Sequence, residues 1–156
     1  MCATGVACGS GEGSGDAAPS SNSARAADGS IDACALVPAD DITALMGTPT
    51  VGEATGDNPE MPGCIWENVD TFESVSVEIG NPGTAANDTL PPPDPAFGEP
   101  TTPGPDGMRF LGSGVVEFAA DGRSNTVQVA VNSLRGEDAD DAAVDLARRI
   151  GSQLDG

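Results

Sequence analysis

The 156-residue sequence predicts an α+β domain: an antiparallel sheet of about four to five strands, with a short N-terminal helix and a C-terminal helix packed on one face. Two observations carry that expectation. Four segments carry strand patterns, clearest in the period-two alternation of Ser74–Ile79 and Asn125–Val131, and they fall into two consecutive hairpin-like pairs. The C-terminal segment instead repeats its apolar positions at helical spacing.

In chain order, the first helix is expected from Pro38 to Met46. Pro38 suits a first helical position, Asp40 and Asp41 put negative charge in the first turn, and Gly47 suits the C-terminal cap. Ile42, Leu45 and Met46 then share one buried face. Residues 48–63 are rich in Gly, Pro and Asp and read as a loop. Strands follow at Cys64–Asn68, with Trp66 its largest apolar residue, and at Ser74–Ile79, with Val75, Val77 and Ile79 turned inward.

Residues 80–107 hold eight of the chain's 13 prolines and read as a long, semi-stiff loop. Pro91-Pro92-Pro93 and Pro103-Gly104-Pro105 are expected to stay out of any sheet ladder. Two further strands are expected at Gly114–Ala120 and Asn125–Val131, turned by Asp121-Gly122. Val116 and Phe118 face inward on the first, and Val127, Val129 and Val131 on the second. The final helix, Glu137 to Leu154, buries a stripe of Ala143, Leu146, Ala147, Ile150 and Leu154. Acids crowd its start, and Arg148 and Arg149 lie towards its end.

Charge narrows the function classes. The chain carries 25 acidic residues against six basic ones, with no His and no Tyr, for a formal charge of −19. All six bases are Arg. Such a chain repels phosphate backbones and anionic lipid, so neither a nucleic-acid partner nor a polybasic membrane patch is expected. Without His there is no Ser-His-Asp or Cys-His machinery, and without Lys no Schiff base or P-loop lysine. No cofactor is expected. No segment approaches eighteen consecutive apolar residues, so membrane attachment is expected only through a lipid anchor.

Residues 1–31 read as a flexible tether ahead of a single domain at 32–156. From Cys8 to Ser30 the chain is almost all Gly, Ser, Ala, Asp and Asn, without apolar periodicity to offset the entropy of ordering it. About twenty such residues reach roughly 25 Å. Cys8 follows Thr4-Gly5-Val6-Ala7, the local chemistry of a lipoprotein cleavage site, and is the expected lipidated residue. Cys2 is the alternative. The basic and long apolar segments of a signal peptide do not precede either one in this sequence.

Cys34 and Cys64 lie thirty residues apart inside patterned segments, far from C-x-x-C spacing. The domain offers too few other thiolates or imidazoles for zinc, so no metal site is expected. The expected state is a Cys34–Cys64 disulfide, which suits an exported chain. Two buried free thiols are the alternative.

The run Cys34-Ala35-Leu36-Val37-Pro38, the short helix ending at Gly47, and then Cys64-Ile65-Trp66 resemble the domain-of-unknown-function family 3558 of actinobacterial lipoproteins. That family usually opens Cys-x-Leu-Leu-Thr-Pro, with a short helix to Gly and then Cys-x-Trp. The resemblance covers about residues 32–154, its specific part being these two motifs. Val37 departs from the family's Thr and weakens the helix cap; Met46 replaces a second Leu. The likeness implies an exported, lipid-anchored envelope protein with the same disulfide. It implies no reaction, and no catalytic residue carries over.

The remaining constellations each have two readings. Residues 32–80 carry acids throughout and no base, which suits either a face for a cationic partner or plain solubility. Glu137-Asp138-Ala139-Asp140-Asp141 lacks the central Gly and distant Glu of a calcium loop, and acids at a helix start explain it. Glu67, Glu78 and Glu117 lie on predicted strands, where two converging carboxylates would suit a glycoside hydrolase and separate ones a solvated face. Trp66 packs on the disulfide or lines a pocket. The proline-rich loop is a recognition segment or a spacer. Arg109, Arg123 and Arg135 are expected in surface ion pairs.

Two functions follow. The favoured one is a non-catalytic, envelope-tethered domain binding a protein or cell-wall component through the acidic face or the proline-rich loop. The other is a small-ligand carrier or sensor, which calls for a mostly apolar cavity between sheet and helices.

Overall fold

Alternation with period two decides which side chains meet. Val75, Val77, Val116, Phe118, Val127 and Val129 all turn to one face and are buried there. Ser76, Glu78, Glu117, Thr126 and Gln128 turn to the other. The computed structural model describes residues 24–26, 28–94 and 101–156. Seven antiparallel strands form one open sheet: β1 (Gly52–Thr55), β2 (Gly63–Asn68), β3 (Glu73–Glu78), β4 (Thr102–Pro103), β5 (Arg109–Gly112), β6 (Val115–Ala120) and β7 (Arg123–Ala130). Their spatial order is β1-β2-β3-β7-β6-β5-β4. The two hairpins, β2–β3 and β6–β7, join through β3 and β7, with Val75 opposite Val129 and Val77 opposite Val127.

Seven strands replace the expected four to five. The additional ones are short and lie at the edges. β1 sits inside the segment read as a loop, and β4 sits inside the proline-rich stretch. Segments this short contain too little alternation to be read, and they form because a neighbouring strand offers an unpaired edge. Pro103 does enter the ladder, opposite Arg109. It does so on the outermost strand, where a missing N–H leaves no neighbour unsatisfied.

The C-terminal helix α2 (Glu137–Leu154) has the predicted bounds. Its stripe of Ala143, Leu146, Ala147, Ile150 and Leu154 is buried, and it packs on β6 and β7. The first helix, α1 (Ala39–Met46), starts one residue later than predicted. Pro38 keeps an extended ψ of 141° and precedes the first turn, and Gly47 closes the helix at φ 70°. Just upstream lies an unpredicted 3-10 turn, Ala33–Leu36, whose amides at Cys34 and Ala35 donate to the Asp32 carboxylate.

That turn holds the staple. Cys34 and Cys64 form a disulfide with a Cα–Cα distance of 5.1 Å, tying the N-terminal segment to β2. Trp66 is buried beside it: a side chain built on Gly52 would strike both the Trp66 indole nitrogen and the Cys64 sulfur.

Packed structure begins before the predicted boundary at 31/32. Ala24 and Ile31 are buried, Arg25 bridges Ile31, and the Arg25 guanidinium reaches the Leu154 carbonyl at 3.0 Å and Asp121 at 2.6 Å. Apolar periodicity was too sparse to reveal this, because two side chains and one guanidinium do the holding. Cys2, Cys8 and the tether upstream of Ala24 lie outside the described residues, as does the 95–100 part of the proline-rich loop. Among the described residues no helix is long and apolar enough to cross a membrane.

Candidate functional site

One face of the sheet is covered by α2 and the N-terminal segment. On the opposite face a groove of about 510 Å³ opens where the β1–β2 loop, the end of β3 and the start of β7 meet. Its floor is a row across three adjacent strands. Glu78 on β3 stands opposite Thr126 on β7, which stands opposite Glu117 on β6. Strand spacing therefore places the Glu78 and Glu117 backbones about 10 Å apart with the threonine between them. Asp57, Asn58 and Met61 from the β1–β2 loop form one wall.

The wall is fixed by Arg123. Its Nη1 donates to the carbonyls of Glu60 and Gly80, each at 2.8 Å, and its Nε faces Asp121 at 3.3 Å. The Asn58 side chain accepts the Glu60 amide at 3.0 Å and turns the loop back. Gly80 is needed because a Cβ there would sit 2.0 Å from the Ser124 carbonyl oxygen. Only glycine lets β3 leave the sheet so close to β7.

Of the three glutamates that might have converged, Glu78 and Glu117 line this groove. Glu67 does not: it pairs with Ser74 towards the opposite end of β2. The two that meet are unequal. Arg109 donates through Nε to one Glu117 oxygen at 2.5 Å, and Ser124 donates its hydroxyl to the other. Both oxygens are thus committed inside the protein, as suits a structural anion rather than a proton shuttle. Glu78 is exposed and projects into the groove with no such commitment to a described residue. The floor offers carboxylate, hydroxyl and amide groups to a ligand, with the nearby guanidiniums of Arg109 and Arg123 already occupied.

The other sequence candidates scatter. In the Glu137–Asp141 run, Asp140 accepts the Gly114 amide at 2.6 Å and so fixes the helix start to the β5–β6 turn. Arg109 and Arg123 pair with acids and are largely buried rather than on the surface. Arg135 forms no ion pair among the described residues, donating instead to the Asn132 carbonyl at 3.3 Å. In the proline-rich loop, the Pro91 carbonyl accepts from Arg109 at 2.7 Å.

Between α1 and α2 lies a notch of about 190 Å³, lined by Ala44, Leu45, Ala142 and Leu146 and bridged by Arg149 and Asp41 at 2.5 Å. The Asp41 carboxylate holds the Arg149 guanidinium above its ordinary pKa, chiefly by hydrogen bonding.

Sequence reasoning missed Thr126, Ser124 and the loop wall as site residues. Thr126 was readable as outward from the alternation of Val127 and Val129. Its place beside Glu78 was not readable, since β3 and β7 are far apart in sequence. No protein-family model, curated protein or solved structure matches the chain.

Proposed function

We propose that this chain is an exported, lipid-anchored cell-envelope protein of the kind the family-3558 resemblance implies, with a folded domain that binds rather than catalyses. Cys8 is the lipidated residue, with Cys2 the alternative. The ligand is a cationic or hydroxyl-rich group on an envelope protein or cell-wall component. It docks on the acidic face of the sheet.

One observation carries the binding reading: among the described residues one face of the sheet is uncovered, and that face forms a braced groove presenting Glu78, Asp57 and Thr126. The Cys34–Cys64 bond supports export, because such bonds persist in oxidising compartments. Engagement of both Glu117 oxygens argues for binding over a two-carboxylate hydrolysis, which needs a free acid and a free base. The carrier alternative is less favoured, because the groove of about 510 Å³ lies on the sheet face away from the helices, and the notch between the helices, at about 190 Å³, is smaller than the roughly 300–1,000 Å³ of small-molecule sites.

Two measurements test the proposal. Protein expressed with its native upstream sequence in an actinobacterial host is expected in the membrane fraction, diacylglycerylated at Cys8 or Cys2 and two hydrogens lighter than its reduced form. Unlipidated, fully reduced protein in the cytosol overturns the envelope reading. Glu78→Arg is expected to lower retention on isolated cell walls roughly tenfold, equivalent to about 1.4 kcal/mol, with an unchanged circular dichroism spectrum. Equal retention overturns the groove as the binding site.

A further inference from the structure

The end of the sheet opposite Ala24 and Asp121 carries a feature that neither the core nor the groove uses. Phe72 is 85% exposed and Val69 71%, both in the turn between β2 and β3. Exposure of a large aromatic on a loose loop would mean little. This turn is not loose. The Phe72 amide donates to the Asn68 carbonyl at 2.8 Å, and the Asp70 amide to the Asn68 side chain at 3.1 Å. Glu73 accepts the Thr71 hydroxyl at 2.7 Å and the Asn132 amide at 2.8 Å. The Asn132 side chain returns a bond to the Thr71 carbonyl at 3.2 Å. Phe72 is thereby clamped from both sides to the end of β7.

The backbone adds a second oddity. Phe72 has φ 59°, a left-handed conformation that a residue with a Cβ adopts only at a cost. The fold gains little from the ring, which is mostly in water. Beside it lies a shallow recess of about 350 Å³, reaching Val131, Leu134 and Ala139 at the start of α2. A rigid exposed aromatic beside a shallow recess of mixed apolar and polar lining is the form of a protein-docking anchor.

The charges around it select the occupant. Glu67 and Asp70 flank the turn, and Glu137 and Asp138 stand exposed at the start of α2. Arg135 is the one base lining the recess. An anionic lipid surface or a second copy of a chain of charge −19 would be repelled at this rim. A basic partner would not.

We infer that this end of the sheet docks a cationic amphipathic segment of a partner protein, with Phe72 as the apolar anchor and the surrounding acids as its rim. The site is separate from the groove around Glu78, which lies at the other end and on the open face.

The test uses the full chain, labelled with nitrogen-15, titrated with a synthetic amphipathic peptide of Leu and Lys. Saturable amide shifts are expected at residues 68–73 and 132–139, with affinity falling steeply up to about 0.5 M salt. Phe72→Gly, whose backbone accepts the same φ, is expected to weaken binding at least about tenfold while melting no earlier than the parent chain. Phe72→Leu is expected to retain most of the affinity. Equal binding by Phe72→Gly overturns the proposal, as do shifts confined to the groove. It is also overturned by equal affinity for a Leu–Ser peptide, by concentration-dependent shifts of residues 68–73 without peptide, or by a response to anionic vesicles and none to the peptide.

Discussion

At the end of the sheet where Asp121 and Gly122 turn the chain, polar groups are spent on joining elements. Arg25 reaches Leu154 and Asp121, Arg123 reaches Glu60 and Gly80, and the Asp121 amide donates to Asp155 at 2.9 Å. The disulfide lies towards this end too, since Cys64 directly follows the first residue of β2. At the other end, where Val69–Phe72 turn the chain, the hydrogen bonds hold up an exposed aromatic and bury almost nothing. The comparison separates stabilisation from display. One end is stitched so that the fold survives, and the other is stitched so that a side chain stays in water at a fixed angle.

Breaking the first end should have the largest effect. The Cys34→Ala/Cys64→Ala double variant releases a closed loop of 30 residues, and chain entropy sets the loss at about 3–4 kcal/mol. Denaturant unfolding with and without reductant checks it: the parent chain is expected to lose the same amount on reduction, and the variant nothing. Equal stability of the two proteins would mean that the staple constrains no part of the unfolded ensemble.

Arg123→Ala should come next, at about 2 kcal/mol. It removes a charged donor serving two carbonyls and an aspartate, of which the Gly80 carbonyl and Asp121 are partly shielded from water. The groove wall is expected to loosen with it. Amide exchange at residues 56–61 should therefore accelerate, while exchange at residues 68–73 stays unchanged, because nothing in the second turn leans on Arg123. Acceleration at both ends would erase the distinction drawn between them.

Phe72→Gly sharpens the comparison by reversing the sign. Relief of the left-handed backbone is worth about 1–2 kcal/mol, and the extra freedom of glycine in the unfolded chain takes back about 0.5–1. The variant is expected to be as stable as the parent or more stable, by up to about 1.5 kcal/mol. A loss measured by thermal unfolding would show that the exposed ring packs after all.

What the sequence made legible follows the same division. α2, the two hairpins and the Cys34–Cys64 pair were readable, because each rests on periodicity or on a residue type with few other uses. The edge strands β1 and β4, and the short β5 just inward of β4, were not, since their formation depends on the unpaired edge of a neighbour rather than on their own pattern. Glu78 and Glu117 were readable as outward-facing. Their meeting across Thr126 was not, because it needs β3 to pair with β7 across the proline-rich stretch. Phe72 carried no signal at all: an aromatic in an Asn-Val-Asp-Thr turn looks like strand residue, and only the backbone reveals that it is turned out.

The smallest effect expected belongs to Glu73, and pH gives access to it. Hydrogen bonds from the Thr71 hydroxyl, first, and the Asn132 amide hold its carboxyl below its ordinary pKa. Because the folded value is the lower one, the unfolded chain binds the proton more readily, and stability falls as pH falls. The contribution is complete above the ordinary glutamate value near 4.5 and disappears as pH drops through the depressed folded value. The Asn132 amide proton reports the event directly, so its chemical shift should titrate with a midpoint below 4.5, and Glu73→Gln should abolish that step. Asp28, also held low by its bonds to Ser30, titrates in the same direction but lies in the N-terminal segment, so residue-resolved shifts separate the two. A midpoint at or above the ordinary value would mean that the charged form is not what clamps the turn. Phe72 would then owe its fixed position to the bonds that Asn68 accepts and to the Asn132 side-chain bond to the Thr71 carbonyl.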